Sequence, residues 1–232
     1  MIDASKIIIA LDSKDEKELD LLLSEIKDHK VWLKIGMEFF YFFGPQKIQE
    51  LANRGHPIFL DLKLHDIPNT VYEALLSLSK LPIQMINIHC SGGLEMMMKA
   101  KEAITKFQSN PLLIGVTILT SFSEEAFKQS FPGMNMRDYI SHQASLAKIA
   151  GLDGVVCSPL EISMIKEACG ADFKTVTPGI RFDGQNLHDQ KRTMNALETQ
   201  KIGGDFMVIG RPITKALSPR LALEKILKGE NP

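Results

Sequence analysis

Eight short β-rich runs alternate with stretches of helical periodicity along the whole chain, and this alternation most constrains the fold. The intervening stretches space apolar residues three or four positions apart, as Leu19, Leu22 and Ile26 illustrate. Eight strand–helix units in 232 residues favour a closed (β/α)8 TIM barrel with a single domain over 1–232, although an open, doubly wound sheet shows the same alternation. The runs are 6–11, 31–35, 58–62, 85–89, 112–119, 154–157, 174–177 and 206–209.

Charge and cysteine content exclude several classes of protein. A net charge of -1 provides no basic field for nucleic acid, so we expect no nucleic-acid partner. The first apolar run ends at Asp12 and is too short to span a membrane, and we expect neither a signal peptide nor a membrane contact. Cys90, Cys157 and Cys169 are odd in number and lack C-x-x-C spacing, which favours reduced thiols in a cytoplasmic protein.

The third β-rich run carries charged residues where a barrel strand is usually apolar. Side chains alternate between the two faces of a strand, so in residues 58–64 the three leucines share one face and Asp61 and Lys63 share the other. Because helices cover the outside of the barrel, the leucine face is predicted to point outward. The charged pair is therefore predicted to point into the barrel.

Two further charges lie near the C-terminal ends of neighbouring strands, where active sites of this fold are built. Asp12 ends the first run and Lys34 lies in the second, while Asp66 follows the third. Each could by itself be an ordinary salt bridge or a solvated strand end. Desolvating an ion costs several kcal/mol, however, so a cluster of Asp12, Lys34, Asp61 and Lys63 indicates a functional site.

The loops after strands seven and eight are the usual phosphate site of a (β/α)8 barrel. Here they contain residues 177–181 and the pair Gly210 and Arg211. A glycine lets backbone N–H groups approach an anion, and an arginine offers a charge-assisted contact. Two connections, 120–135 and 178–189, are longer and richer in Gly and polar residues than a minimal β/α turn, and each could either close over a ligand or be a passive surface loop.

Several motifs together resemble the bacterial form of the orotidine 5'-monophosphate decarboxylase family. Residues 61–70 resemble the family's D-x-K-x-x-D signature with its usual extension. Residues 119–121, 177–181 and 209–213 match the remaining motifs in the same order, and the resemblance runs from residue 7 to about residue 215. It implies a (β/α)8 barrel that decarboxylates orotidine 5'-monophosphate to UMP without a cofactor or a metal.

The resemblance also implies roles for individual residues. Lys63 is implied to donate the proton to C6 of the pyrimidine, within a charge network that includes Lys34, Asp61 and Asp66. A homodimer is implied, in which Asp66 and Thr70 reach the neighbouring active site. The implied substrate-binding residues are Asp12 and Lys34 for the ribose, Thr120 and Ser121 for the pyrimidine edge, Gln190, Gly210 and Arg211 for the phosphate, Arg181 on a closing loop, and Asp61, Asp66, Ile67, Thr70 and Pro178 within the same motifs.

Two other functions remain possible for such a barrel. A metal-dependent sugar-phosphate decarboxylase or aldolase uses a similar D-x-K-x-x-D stretch, but Lys34 and the 119–121 loop argue against it. A non-catalytic nucleotide-binding barrel would not need a buried Lys63. His65 and His89 have no second ligand at metal spacing, which favours orienting or packing roles over zinc binding.

Overall fold

The computed structural model describes residues 1–180 and 193–232, in which eight parallel strands close into a barrel in sequence order. Each strand pairs with the next, and β8 pairs back onto β1 through Ile9 and Ile209. The predicted closed (β/α)8 barrel is thereby confirmed. The strands are β1 (Ile7–Leu11), β2 (Trp32–Gly36), β3 (Ile58–Leu64), β4 (Met85–His89), β5 (Leu112–Val116), β6 (Gly154–Val156), β7 (Lys174–Thr177) and β8 (Phe206–Ile209).

Helices surround the strands, and their ends carry residues that suit helix termini. Side-chain oxygens of Asp15, Ser123 and Asn135 accept backbone N–H groups of the first turn. Within the described ranges, no helix is both long and apolar enough to cross a membrane. The helices are α1 (Glu16–Ile26), α2 (Met37–Phe43), α3 (Pro45–Asn53), α4 (Pro68–Leu78), α5 (Gly93–Ile104), α6 (Glu124–Ser130), α7 (Met136–Ile149), α8 (Ile162–Cys169), α9 (Ala196–Lys201), α10 (Arg211–Thr214) and α11 (Pro219–Lys228), with short 3-10 segments at Ala4–Lys6, Cys90–Gly92 and Pro159–Glu161.

Two predicted strand ends differ from the observed ones by two or more residues, and the other bounds agree to within one residue. The fifth strand stops at Val116 rather than at residue 119, because its neighbour β6 is three residues long and pairing ends at Val156. The hydroxyl of Thr117 then donates to the Val156 carbonyl at 3.1 Å. The third strand continues to Leu64, two residues beyond its predicted end.

The barrel interior and the layer beneath the helices form two separate apolar clusters. Phe59 of β3 packs inside the barrel with Ile8, Met85 and Val176. Leu60 and its even-numbered neighbours on β3 belong instead to the larger cluster between the strands and the helices. Asp61 shares strand parity with Phe59, so the predicted inward direction of Asp61 is confirmed.

A second group of charges lies at the opposite, N-terminal end of the strands. Asp205, just before β8, accepts hydrogen bonds from Lys166 at 2.6 Å and from the Thr175 backbone N–H at 2.9 Å. Lys174 lies 3.4 Å from the other oxygen of the same carboxylate. We call Asp205, Lys166 and Lys174 the lower cluster.

Candidate active site

The carboxylate of Asp61 lies at the centre of a charged cluster at the C-terminal mouth of the barrel. It is 7% exposed and is contacted by side chains from β2, from β4 and from its own strand, β3. Lys34 Nζ lies 3.2 Å from Oδ2, and Lys63 Nζ donates to Oδ1 at 2.6 Å. Asn87 Nδ2 also donates to Oδ1, at 2.7 Å. We call Asp61, Lys34 and Lys63 the upper cluster.

Opposing effects act on the charge of Asp61. Burial alone raises the pKa of this carboxyl, but the charges of Lys34 and Lys63 and the hydrogen bonds from Lys63 and Asn87 outweigh burial, so its pKa lies below the ordinary value. Asp61 is therefore ionised at neutral pH. With two ammonium groups on one carboxylate, the upper cluster carries one excess positive charge, which suits an anionic ligand.

Lys34 reaches Asp61 across Gly36, for which the sequence alone predicted no role. Gly36 is the β2 residue in register with Asp61. A Cβ atom built on Gly36 would come within 3.3 Å of Lys34 Nζ, which is tighter than most such contacts. The missing side chain at position 36 thus leaves room for the ammonium group beside the carboxylate.

The backbone at Lys63 departs from regular strand geometry. Lys63 has a φ of 52°, in the left-handed region that residues other than glycine rarely adopt. The register between β3 and β4 shifts here, since Leu60 pairs with Ile86 but Leu64 pairs with Ile88. β3 therefore has two extra residues between these pairs, and strand parity alone does not set the direction of the Lys63 side chain.

The side chain of Asn87 replaces a backbone hydrogen bond that the bulge removes from the β3–β4 pair. The Lys63 backbone N–H donates to Asn87 Oδ1 at 2.8 Å, in place of a backbone carbonyl of β4. Asn87 is completely buried and shares strand parity with Met85, which packs inside the barrel. Sequence reasoning missed it, although a lone amide within the apolar run 85–88 was the available signal.

The other acidic residues predicted for the site lie outside this cluster. Asp12 directly follows β1 and is exposed, and it forms no salt bridge with any part of the chain that the structure describes. Asp66 lies beyond the end of β3, where its Oδ1 accepts the Ile67 backbone N–H at 2.7 Å. Asp66, Ile67 and Thr70 are all exposed at the start of α4.

The predicted pyrimidine and phosphate residues follow strands β5, β7 and β8. Thr120 is buried, Ser121 is exposed and Pro178 is half-buried. A Cβ on Gly210 would lie 3.6 Å from Ala10, the β1 residue in register with Lys34, so the β8 loop lies near the upper cluster. Arg211 begins α10 and is exposed, whereas the predicted residues Arg181 and Gln190 lie outside the described residues.

His65 and His89 are brought together at the edge of the site. Their ring centroids are 5.4 Å apart. Burial lowers the pKa of His89 the most, and the charges of His65 and Lys63 lower it further. The neutral form of His89 is therefore favoured. Over 1–180 and 193–232, no three His, Cys, Asp or Glu side chains are grouped so that they could hold a metal ion.

Comparison with known proteins relates nearly the whole chain to one family. Residues 5–226 match the model of the Orotidine 5'-phosphate decarboxylase / HUMPS family. A protein of Pseudoalteromonas translucida named orotidine 5'-phosphate decarboxylase is 45% identical over 226 residues, covering 97% of both chains. One of the same name from Carboxydothermus hydrogenoformans is 43% identical and covers 97% of this chain and 95% of its own length.

Solved structures give the same relationship. The crystal structure of orotidine 5'-phosphate decarboxylase from Lactobacillus acidophilus is 38% identical, with a TM-score of 0.84 over 98% of this chain and all of that chain. That of an uncharacterized conserved protein from Geobacillus kaustophilus is 34% identical, with a TM-score of 0.83 over 97% of this chain. Similarity in sequence and in fold therefore extends across the strands that carry the upper cluster.

Proposed function

Because this chain belongs to the Orotidine 5'-phosphate decarboxylase / HUMPS family, we propose that it decarboxylates orotidine 5'-monophosphate to UMP and CO₂ in pyrimidine biosynthesis, with Lys63 as the proton donor. The observation that carries the proposal is the upper cluster. It holds a buried, ionised carboxylate between two ammonium groups at the mouth of the barrel. The side chain of Lys63 is 27% exposed, so that its ammonium can meet a ligand.

The reaction needs a positive charge beside the carbon that loses CO₂. When the bond between C6 and the carboxylate breaks, its electron pair stays on C6, and no carbonyl or cofactor accepts it. A fixed ammonium group stabilises this developing charge electrostatically. Lys63 then transfers a proton to C6 to give UMP, which an arginine of much higher pKa could hardly do.

We propose that Asp61 and Lys34 support Lys63 in two ways. Asp61 orients the Lys63 ammonium through their hydrogen bond of 2.6 Å and repels the substrate carboxylate before it leaves. Lys34 balances the charge of Asp61 at 3.2 Å and contributes to binding of the ribose hydroxyls. Since both Asp61 oxygens are already engaged, this carboxylate is a poor candidate for a metal ligand.

The remaining substrate contacts are proposed from the family's motifs. Asp12 would share the ribose with Lys34, and the neighbouring residues Thr120 and Ser121 would contact the pyrimidine edge. The proximity of the β8 loop to β1 supports a phosphate site at Gly210. Together with Gly210, the proposed phosphate and closing-loop residues are Arg211, Gln190, Arg181 and Pro178.

We propose a homodimer in which the neighbouring subunit completes each site. Asp66 is exposed, and its carboxylate accepts the adjacent Ile67 backbone N–H rather than contacting a lysine of the upper cluster. Thr70 is exposed one turn farther on. Both residues are therefore accessible to a second subunit, which supports Asp66 and Thr70 as contributions across the interface.

We further propose that residues 1–232 form one catalytic domain located in the cytoplasm. The Ile2 backbone N–H donates to the Leu227 carbonyl at 2.7 Å, joining the two ends of the chain. Cys90, Cys157 and Cys169 form no disulfide within the described residues, as in proteins of a reducing compartment. Burial also raises the pKa of Cys90 to about 12, so this thiol is unreactive at neutral pH.

The experiment that tests the proposed function uses orotidine 5'-monophosphate and the purified protein in the presence of EDTA. We expect the ultraviolet absorbance of the substrate to change as UMP forms, and we expect Lys63→Ala to abolish the change. An activity on a sugar phosphate rather than on orotidine 5'-monophosphate, which disappears on chelation, would favour the metal-dependent sugar-phosphate enzyme. No decarboxylation by the unmutated protein would disprove the proposal.

A further inference from the structure

We propose that Asn87 is a positioning residue for Lys63. Asn87 forms hydrogen bonds with both the Asp61 carboxylate and the Lys63 backbone N–H. The inference rests on the proposed function, in which Lys63 delivers the proton. Asn87 does not touch the substrate in this proposal. It sets the position from which the ammonium group acts.

Asn87 makes two contacts that together fix one end of β3. Its Nδ2 donates to Asp61 Oδ1 at 2.7 Å, and its Oδ1 accepts the Lys63 backbone N–H at 2.8 Å. Lys63 Nζ donates to the same Asp61 oxygen at 2.6 Å. One buried amide thus binds the carboxylate that orients Lys63 and the backbone that carries it.

The bulge explains why the backbone of Lys63 needs a hydrogen bond to the Asn87 side chain. The left-handed backbone of Lys63 is unfavourable for a residue with a Cβ and persists only where its surroundings hold it. Because β3 has two extra residues opposite Asn87, no β4 carbonyl is in register with the Lys63 N–H. The Asn87 side chain supplies the missing acceptor from inside the barrel.

The chemistry of position 87 is specific to an amide. Asparagine presents one acceptor and one donor at a fixed separation, which matches the N–H of Lys63 and the carboxylate of Asp61. Aspartate could accept from Lys63 but could not donate to Asp61 when ionised. Its charge would also raise the pKa of Asp61, because like charges at hydrogen-bond distance disfavour ionisation.

A second amide, on the residue directly before β4, provides a matched control. Gln84 Oε1 accepts the Ile58 backbone N–H at 2.7 Å, at the opposite end of β3. Gln84 therefore ties β3 to β4 as Asn87 does, but far from the upper cluster. Its removal tests what the loss of one such tie does to the fold alone.

The experiment compares kcat, KM and the pH profile of Asn87→Ala, Asn87→Asp and Gln84→Ala with those of the parent protein. We expect kcat of Asn87→Ala to fall about 100-fold, as for a displaced catalytic group, with little change in KM. For Asn87→Asp we expect a lower kcat and an acidic limb shifted to higher pH. Gln84→Ala should keep the parent kcat.

Crystal structures of the parent and Asn87→Ala separate this inference from the proposed function. An inactive parent would disprove the function, but the structures would still report the Lys63 φ and the distance from Lys63 Nζ to Asp61. A parental kcat in Asn87→Ala, or an unchanged Lys63 geometry, would overturn the inference. If Asn87→Ala does not fold, Asn87→Asp decides, because a parental kcat and pH profile in that variant would also overturn it.

Discussion

The two ends of this barrel each carry one aspartate between two lysines, yet the two clusters are satisfied by different groups. In the lower cluster, Lys166 donates to Asp205 and also to the carbonyls of Ala171 and Phe173, at 2.8 and 2.9 Å. Asp205 in turn accepts from both the backbone N–H and the hydroxyl of Thr175. Three of these contacts have a backbone group as one partner, namely the carbonyls of Ala171 and Phe173 and the N–H of Thr175.

The upper cluster is held almost entirely by side chains. Asp61 accepts from Lys34, Lys63 and Asn87, and neither lysine forms another salt bridge within the described ranges. The single backbone contact in this group is the Lys63 N–H on Asn87, at a strained position. The same combination of one carboxylate and two ammonium groups therefore stabilises the fold at one end of the barrel and remains available to a ligand at the other.

The largest expected effect is on catalysis by Lys63→Ala. This substitution removes both the charge that stabilises C6 and the proton donor, so kcat/KM should fall by at least about 10⁴-fold. Asp61 keeps its contacts with Lys34 and Asn87, and the melting temperature should change little. Steady-state kinetics and thermal melting measure the two quantities, and activity within tenfold of the parent would remove the functional distinction between the clusters.

The next effect is that of Asp61→Asn, which keeps the shape of the side chain and removes its charge. Repulsion between the substrate carboxylate and Asp61 is worth about 4 kcal/mol for charges about 4 Å apart at an effective dielectric of about 20. Its loss should reduce kcat by about three powers of ten, with lost orientation of Lys63 included in the observed effect. A reduction of less than tenfold in the same ultraviolet assay would show that Asp61 contributes mainly to structure.

Strand parity predicted the centre of the upper cluster correctly because it depends only on local alternation. Asp61 and Lys34 lie on inward positions of regular strands, and the structure brings them together at 3.2 Å. The bulge at Lys63 and the contact of Asn87 were not predictable in this way. They depend on the register between β3 and β4, which no single strand encodes.

The lower cluster went unnoticed in the sequence for a related reason. Asp205 is 39 residues from Lys166 and 31 from Lys174, and each lies near the end of an element, where charged residues are common. Closure of the barrel, rather than any motif, brings them into contact. Asp12 shows the opposite case, since its strand position suggested a place in the upper cluster, whereas its side chain is exposed.

A smaller effect, on stability alone, is expected for Asp205→Asn. The neutral side chain leaves Lys166 without its charged partner, so the free energy of unfolding should fall by about 2 kcal/mol, the scale of a hydrogen bond to a charged group. Because the lower cluster lies at the end of the barrel away from the site, kcat should stay at the parent value. Urea titration and steady-state kinetics measure both, and a large loss of kcat in a folded variant would contradict the assignment.

The smallest effect is the pH dependence of that difference in stability. Burial alone raises the pKa of Asp205, but hydrogen bonds from Lys166 and Thr175 and the lysine charges hold it below the ordinary value. The unfolded chain therefore binds a proton more readily, so the stabilisation is complete above the unfolded pKa of about 3.9 and is lost as pH falls through the folded pKa. Urea titrations at neutral pH and below pH 4 should show the gap between parent and Asp205→Asn narrowing in acid, whereas a gap independent of pH would mean that the charge of Asp205 does not stabilise the lower cluster.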